Sequence, residues 1–400
     1  MNQPVYNPAP YQPAPYPPQP QPPQVQQPYP ACPGQAGGAP VPFSPGYPPQ
    51  GAGYLSPAPA GAAFAPYPPA VPAAPRFSAA QQKDPRKTGG RRAVNLMSLL
   101  ILLQSLLMVG LQLAVMGYSA AVGSDLIYRD NLALIWLTLA MSPLSTALPF
   151  LAYMLVGKKD WSSYLRFEKT GFFTGLLLVF AGLSLCLLAD YPAYAVEALL
   201  ESFGASSPSS AAPQIASMEE FWLELAGIAV LVPLMEEFAF RGVLLSGLRR
   251  YGTGFAVVAS GLLFGMAHMS PVSVVFASLA GLVMGFLYAK TNNLWLTVAV
   301  HALNNALSVV LNNANLLFPP QTAALLLDAL PLGFVGLGAL SLVLLLIFRR
   351  RQTFGRKGPD PVVEARPPLG PGESIGCMVK APMFWGVAGM VLVGAAILFL

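Results

Sequence analysis

The chain has 400 residues, of which 54% are hydrophobic and 10% charged, with a net charge of +5 and a mean hydropathy of +0.54. Soluble domains carry about 25% charged residues, so this composition excludes an ordinary soluble globule and describes a polytopic membrane protein. The basic residues fall in short loops between apolar runs, as the positive-inside rule requires, which argues against nucleic acid as a partner.

Residues 1–80 hold more than half of the chain's 42 prolines, with many Tyr, Gln and Gly. Such a segment cannot build a core and favours extended polyproline conformers. It is read as a disordered Pro-rich tail, a spacer first and a docking site for a Pro-reading partner second. The first residues do not have the basic-then-apolar pattern of a signal peptide. A basic juxtamembrane segment, 81–92, contains "KDPRKTGGRR".

Nine spans are predicted next, judged against the ~20 apolar residues that cross a bilayer. They are Ala93–Met116, Leu132–Val156, Gly171–Leu188, Phe221–Leu248, Phe255–His268, Val272–Tyr288, Leu294–Leu311, Ala329–Phe348 and Met383–Leu400. The fifth is short. The fold class is therefore an all-α membrane bundle of about eight or nine transmembrane helices. Its expected parts are N-terminal spans in 93–218, a helical core in 219–315, a loop and span in 316–348, a cytoplasmic loop in 349–382 and a last span in 383–400.

Loop charges agree with this count. With the tail cytoplasmic, the inner loops carry Lys158, Lys159 and Arg166, then Arg249 and Arg250, then Lys290, then Arg349, Arg350, Arg351, Arg356 and Lys357. The outer loops carry Asp125, Asp130, Asp190, Glu197, Glu201 and Asp328, with Arg129 their one basic residue. The expected location is a cell membrane, multi-pass, with the N-terminus inside. The cysteines, Cys32, Cys186 and Cys377, are far apart and have neither disulfide nor metal-ligand spacing.

Charges inside the apolar runs carry the chemistry. The tetrapeptide MEEF occurs at Met218–Phe221, at the edge of a run, and again at Met235–Phe238, well inside one. In the second copy Glu237 and Arg241 are four residues apart and share a helix face, so the acid can be neutralised on its own helix. Glu236 is rotated by ~100° and is free to face the bundle interior. The only two histidines, His268 and His301, lie in or at the end of other predicted spans, four residues after Phe264 and four before Asn305. Helix rise puts Glu236, His268, His301 and Asn305 at overlapping depths of ~10–20 Å. An isolated intramembrane His or a Glu–Arg pair is commonly helix–helix glue. A base candidate, two imidazoles and an amide together instead suit the activation of water.

The three motifs EExxxR, FxxxH and HxxxN, in this order over roughly residues 219–315, resemble the CPBP family of CAAX proteases and bacteriocin-processing membrane proteins, whose best-known branch is the type II CAAX prenyl endopeptidases. The resemblance implies an intramembrane endopeptidase with a cavity open to the cytosol, acting on a peptide or membrane-protein substrate within the lipid bilayer. It implies that Glu236 and His268 activate water and that His301 and Asn305 stabilise the oxyanion, with Glu237, Arg241 and Phe264 in support. No cofactor is expected. The alternative is a divalent metal such as zinc held by Glu236, His268 and His301, residue types that bind zinc, although HExxH is missing. Two other classes compete: a non-catalytic scaffold or immunity protein that holds a peptide in the same cavity, and a transporter that uses Glu236 and His268 as a proton relay. No internal repeat supports the transporter.

Overall fold

The computed structural model describes residues 84–122, 131–205, 215–348 and 367–399. The Pro-rich tail, the loop charges Asp125, Arg129 and Asp130, and the basic run from Arg349 to Lys357 lie outside the described residues. The chain divides between Arg76 and Phe77, and the second unit is the one described. Among its described residues there is no strand, only one antiparallel bridge between Phe167 and Asn293.

Helix α1 runs Pro85–Val122, starting earlier than its apolar sequence. Asp84 Oδ1 accepts the backbone N–H of Arg86 at 2.8 Å, and Pro85 occupies the first helical position, where its missing donor costs nothing. This start offsets Gly89 and Gly90, so the basic segment expected as a separate stretch is helical from Pro85 onward. Farther along, Leu106 and Leu113 are exposed, as side chains facing lipid are.

Helix α2 is Asn131–Val156. Helices α3, Phe172–Leu188, and α4, Asp190–Ser202, together make one 31-residue membrane-capable stretch. At ~1.5 Å per residue it outruns the ~30 Å hydrocarbon layer. Asp190, Glu197 and Glu201, expected in a loop, therefore sit on the overhanging helix.

Helix α5 covers residues 218–249 without a break, in five pieces: Met218–Ala226, Gly227–Leu231, Val232–Glu237, Phe238–Leu245 and Ser246–Arg249. Its second and fourth pieces are π-helical. Pro233 has no N–H for the carbonyl four residues back and crowds it, which favours the wider turn just before it. At the start of α5, Ser217 Oγ accepts the N–H of Glu220 at 3.2 Å, so the first MEEF copy is a capped first turn. The middle of α5 is the centre of the bundle, with Ala239, Val243, Leu244, Leu245 and Leu248 fully buried.

Apart from the single turns Trp161–Tyr164 and Ala314–Leu317, the remaining described helices are α6 Thr253–Met266, α7 Pro271–Thr291, α8 Leu294–Asn312, α9 Pro320–Phe348, α10 Pro371–Val379 and α11 Pro382–Ile397. Part of the loop expected in 349–382 is thus helical, and α10 is bent by 71° from α11. Among the described residues, six stretches can cross a membrane by length and composition, seven if the bent pair counts as one. The expected count of eight or nine is slightly higher, because α5 carries too many charges and α6, at 14 residues, rises only ~21 Å.

Two devices fix the frame around the site. Helices α6 and α7 pack backbone to backbone, and a Cβ on Gly265 would run into Ser278 Oγ. At the other end, Arg249 reaches from α5 to Asn292 Oδ1 at 2.6 Å and the carbonyl of Ala289 at 3.1 Å. Asn292 holds a left-handed φ of 50° at the end of α7, so this bond ties α5 to the sharp turn into α8.

Candidate active site

The second MEEF copy falls between the two π-helical pieces of α5. Glu237 and Arg241 are completely buried, and Arg241 Nη1 donates to Glu237 Oε1 at 2.7 Å. Arg241 also donates to the carbonyl of Gly281 on α7 at 3.4 Å, and its guanidinium lies 4.4 Å from the centroid of the Phe264 ring. The pair expected from spacing is present, and it does more than neutralise itself. His301 Nδ1 on α8 lies 2.9 Å from the same Glu237 Oε1. A carboxylate only accepts, so this nitrogen carries the proton.

That bond aims the other side of the imidazole. His301 Nε2 stands 3.6 Å from Glu236 Oε2, and the His301 side chain is 9% exposed against 14% for Glu236. Two adjacent acids on α5 thus meet opposite nitrogens of one ring, Glu237 from the buried side and Glu236 from the cavity side. Glu237 Oε2 and Arg241 Nε are buried without a hydrogen-bond partner among the described residues, an expense usually met near functional sites.

His268 is placed differently from a helix-face residue. It follows the end of α6, just before Met269 with φ 60°, and its Nδ1 lies 2.9 Å from the carbonyl of Phe264. Carbonyls in the last turn of a helix lack intrahelical partners, and this one takes the imidazole N–H, leaving Nε2 open. The Phe264 ring is 5.0 Å from the His268 ring and 5.9 Å from the His301 ring, both edge-on. One buried phenyl spaces the two imidazoles.

Asn305, one turn after His301, donates from Nδ2 to the carbonyl of Ile228 at 2.9 Å. Ile228 belongs to the first π-helical piece of α5, so the widened turn supplies the acceptor that orients the amide. An amide nitrogen has two hydrogens, and the second remains for another acceptor.

Glu236, Phe264, His268, His301 and Asn305 all line one cavity of ≈ 160 Å³. Its remaining wall was not anticipated from sequence: Asn304 beside Asn305, Cys186 from α3, and a face of α7 bearing Ser273, Ala277 and Ala280. The α7 positions repeat at helical spacing, a small-residue stripe that could have marked a helix lining open space. Glu236, His268 and His301 share this cavity, yet among the described residues no three His, Cys, Asp or Glu side chains form a group that could hold a metal ion.

A helical membrane bundle with an acid, two imidazoles and an amide around one buried cavity is the class that fold and site define. Comparison with known proteins shows what a part of the chain resembles. Residues 218–307 match the family described as type II CAAX prenyl endopeptidase Rce1-like, a range that contains every site residue from Glu236 to Asn305. A curated relative from Bacillus subtilis (strain 168), named "Putative membrane peptidase YdiL", is 23% identical over 145 residues. The alignment covers 36% of this chain and 59% of the relative, so the chain spans about three-fifths of the relative's length. No solved structure matches. The likeness to CAAX-type membrane proteases is thus carried by the segment 218–307.

Proposed function

We propose that the protein is an intramembrane endopeptidase that hydrolyses a peptide bond in the cavity between α5, α6, α7 and α8. The observation that carries this reading is the meeting of Glu236, His268, His301 and Asn305, from three separate helical segments, on one cavity. Glu236 is the base. It takes a proton from a water held between its carboxylate and the open Nε2 of His268, the hydroxide adds to the substrate carbonyl, and the same carboxyl returns the proton to the leaving amine.

Asn305 and His301 receive the negative charge that forms on the carbonyl oxygen. Asn305 uses the amide hydrogen not given to Ile228. His301 already gives its Nδ1 hydrogen to Glu237, so its Nε2 donates only when the ring is an imidazolium. Donors held ready at the developing charge supply the largest usual catalytic term. This mechanism needs no metal, and the N-terminal side of the membrane is taken as cytoplasmic from the loop charges.

The reading is tested with the full chain in proteoliposomes and a panel of internally quenched peptides, alongside Glu236→Gln and His268→Ala. Cleavage by the native chain, lost in both variants at unchanged thermal stability, is expected. Cleavage that both variants retain in full would remove the mechanism.

A further inference from the structure

A second cleft, of ≈ 510 Å³, lies between the first turns of α1 and helix α10. Both carboxylates in its wall are committed. Asp84 Oδ2 is 2.7 Å from Arg86, a pairing that holds its carboxyl below the usual carboxylate range. Arg86 also donates to the carbonyls of Pro367 and Pro368 at 3.2 and 3.4 Å. Glu373 Oε1 is 3.0 Å from Lys87 Nζ, while its Oε2 accepts the N–H of Gly370 at 2.9 Å. Arg91 and Lys380 line the same cleft and are exposed. Neither has a carboxylate partner among the described residues.

The position of these cations is informative. Lys87 and Arg91 are four residues apart on one face of α1, just before its apolar run from Ala93. Farther along α1, Leu99 and Leu103 are exposed apolar side chains. On the other wall α10 turns 71° from α11, with Ile375 and Val379 exposed beside it. The Trp385 indole, also exposed, donates to the carbonyl of Val379 at 2.7 Å, as aromatic side chains at a membrane boundary do. The cleft therefore combines a cationic rim, the Thr88 hydroxyl and apolar surface leading into the bilayer.

We propose that this cleft binds the phosphate headgroup of an anionic glycerophospholipid, clamped by Arg91 and Lys380, with its acyl chains along α1. Its volume lies within the ~300–1,000 Å³ of ligand pockets, and basic pockets between membrane helices take anionic headgroups. The site is independent of the peptidase reading.

The test uses the full chain in nanodiscs of phosphatidylcholine, of phosphatidylcholine with phosphatidylglycerol, and of phosphatidylcholine with inorganic phosphate in the buffer. Thermal unfolding and lipid retention in native mass spectrometry are read. Phosphatidylglycerol is expected to raise Tm and to be retained. Arg91→Gln and Lys380→Gln should each weaken this roughly fivefold, and together roughly thirtyfold, with Tm in phosphatidylcholine alone unchanged. Lys158→Gln with Lys159→Gln, a basic pair in another loop, should leave it intact. An unchanged lipid preference in the double variant overturns the proposal, as does an equal loss from the Lys158 and Lys159 changes. Equal protection by inorganic phosphate overturns the assignment to lipid.

Discussion

His301 Nδ1 lies 2.9 Å from Glu237 Oε1, an oxygen that also accepts from Arg241. A pair of residues that would pass for intramembrane glue is thereby joined to the imidazole that faces Glu236. Glu237 does not itself line the cavity; it acts through His301 by holding Nδ1 and turning Nε2 towards Glu236.

Glu237→Gln should lower kcat about ten- to hundredfold with little change in KM, as loss of a residue that orients a reacting group does. The same change leaves Arg241 as a buried charge without its partner and should cost ~3–5 kcal/mol of stability. Adding Arg241→Met should restore most of the stability and none of the kcat. Thermal unfolding and steady-state kinetics on the two variants separate the effects, and recovery of kcat along with stability would make the pair structural only.

Asn305→Ala removes the partner of the Ile228 carbonyl and the proposed donor to the oxyanion. A loss of ~1–3 kcal/mol in stability is expected for the orphaned carbonyl. A fall of about 10²–10³ in kcat is expected for the missing donor. Asn304→Ala serves as the comparison, since Asn304 lines the cavity and has no part in the proposed chemistry. It should change KM alone.

Gly265→Ala addresses the frame. The added methyl meets Ser278 on α7, and forcing the two helices apart should destabilise the protein by ~1–3 kcal/mol. Gly254→Ala, whose added methyl meets nothing, should not lower Tm. Equal Tm values for the two variants would show that close packing of α6 on α7 is dispensable.

Metal dependence is tested directly by chelation. With Glu236 as base, EDTA and 1,10-phenanthroline should leave cleavage unchanged, and elemental analysis of the active protein should find no stoichiometric zinc. Activity lost on chelation and regained with zinc would instead assign Glu236, His268 and His301 as ligands.

Much of the cavity was legible in the sequence because charge inside an apolar run is rare and costly. Glu236, His268, His301 and Asn305 stand out on that ground, and the spacing of Glu237 and Arg241 announces their pair. The bond from Glu237 to His301 left no such trace, since it joins residues 64 apart in the chain and depends on how two helices rotate against each other. The π-helical turns were equally hidden: Pro233 hints at a disturbance, but only the packed bundle shows Asn305 meeting the Ile228 carbonyl. The basic segment 81–92 was expected apart from the first span, and the cap from Asp84 instead carries α1 through it from Pro85 onward. Acids at Asp190, Glu197 and Glu201 suggested a loop, because charge says where the membrane ends and not where the helix does.

The most direct test follows a labelled oxygen. When a cleavable peptide is turned over in H₂¹⁸O, the native chain should place one ¹⁸O in the new C-terminal carboxylate, and Glu236→Gln, folded and inserted, should give no labelled product. Labelled product from Glu236→Gln at the native rate would contradict the assignment of that carboxylate as the group that activates water.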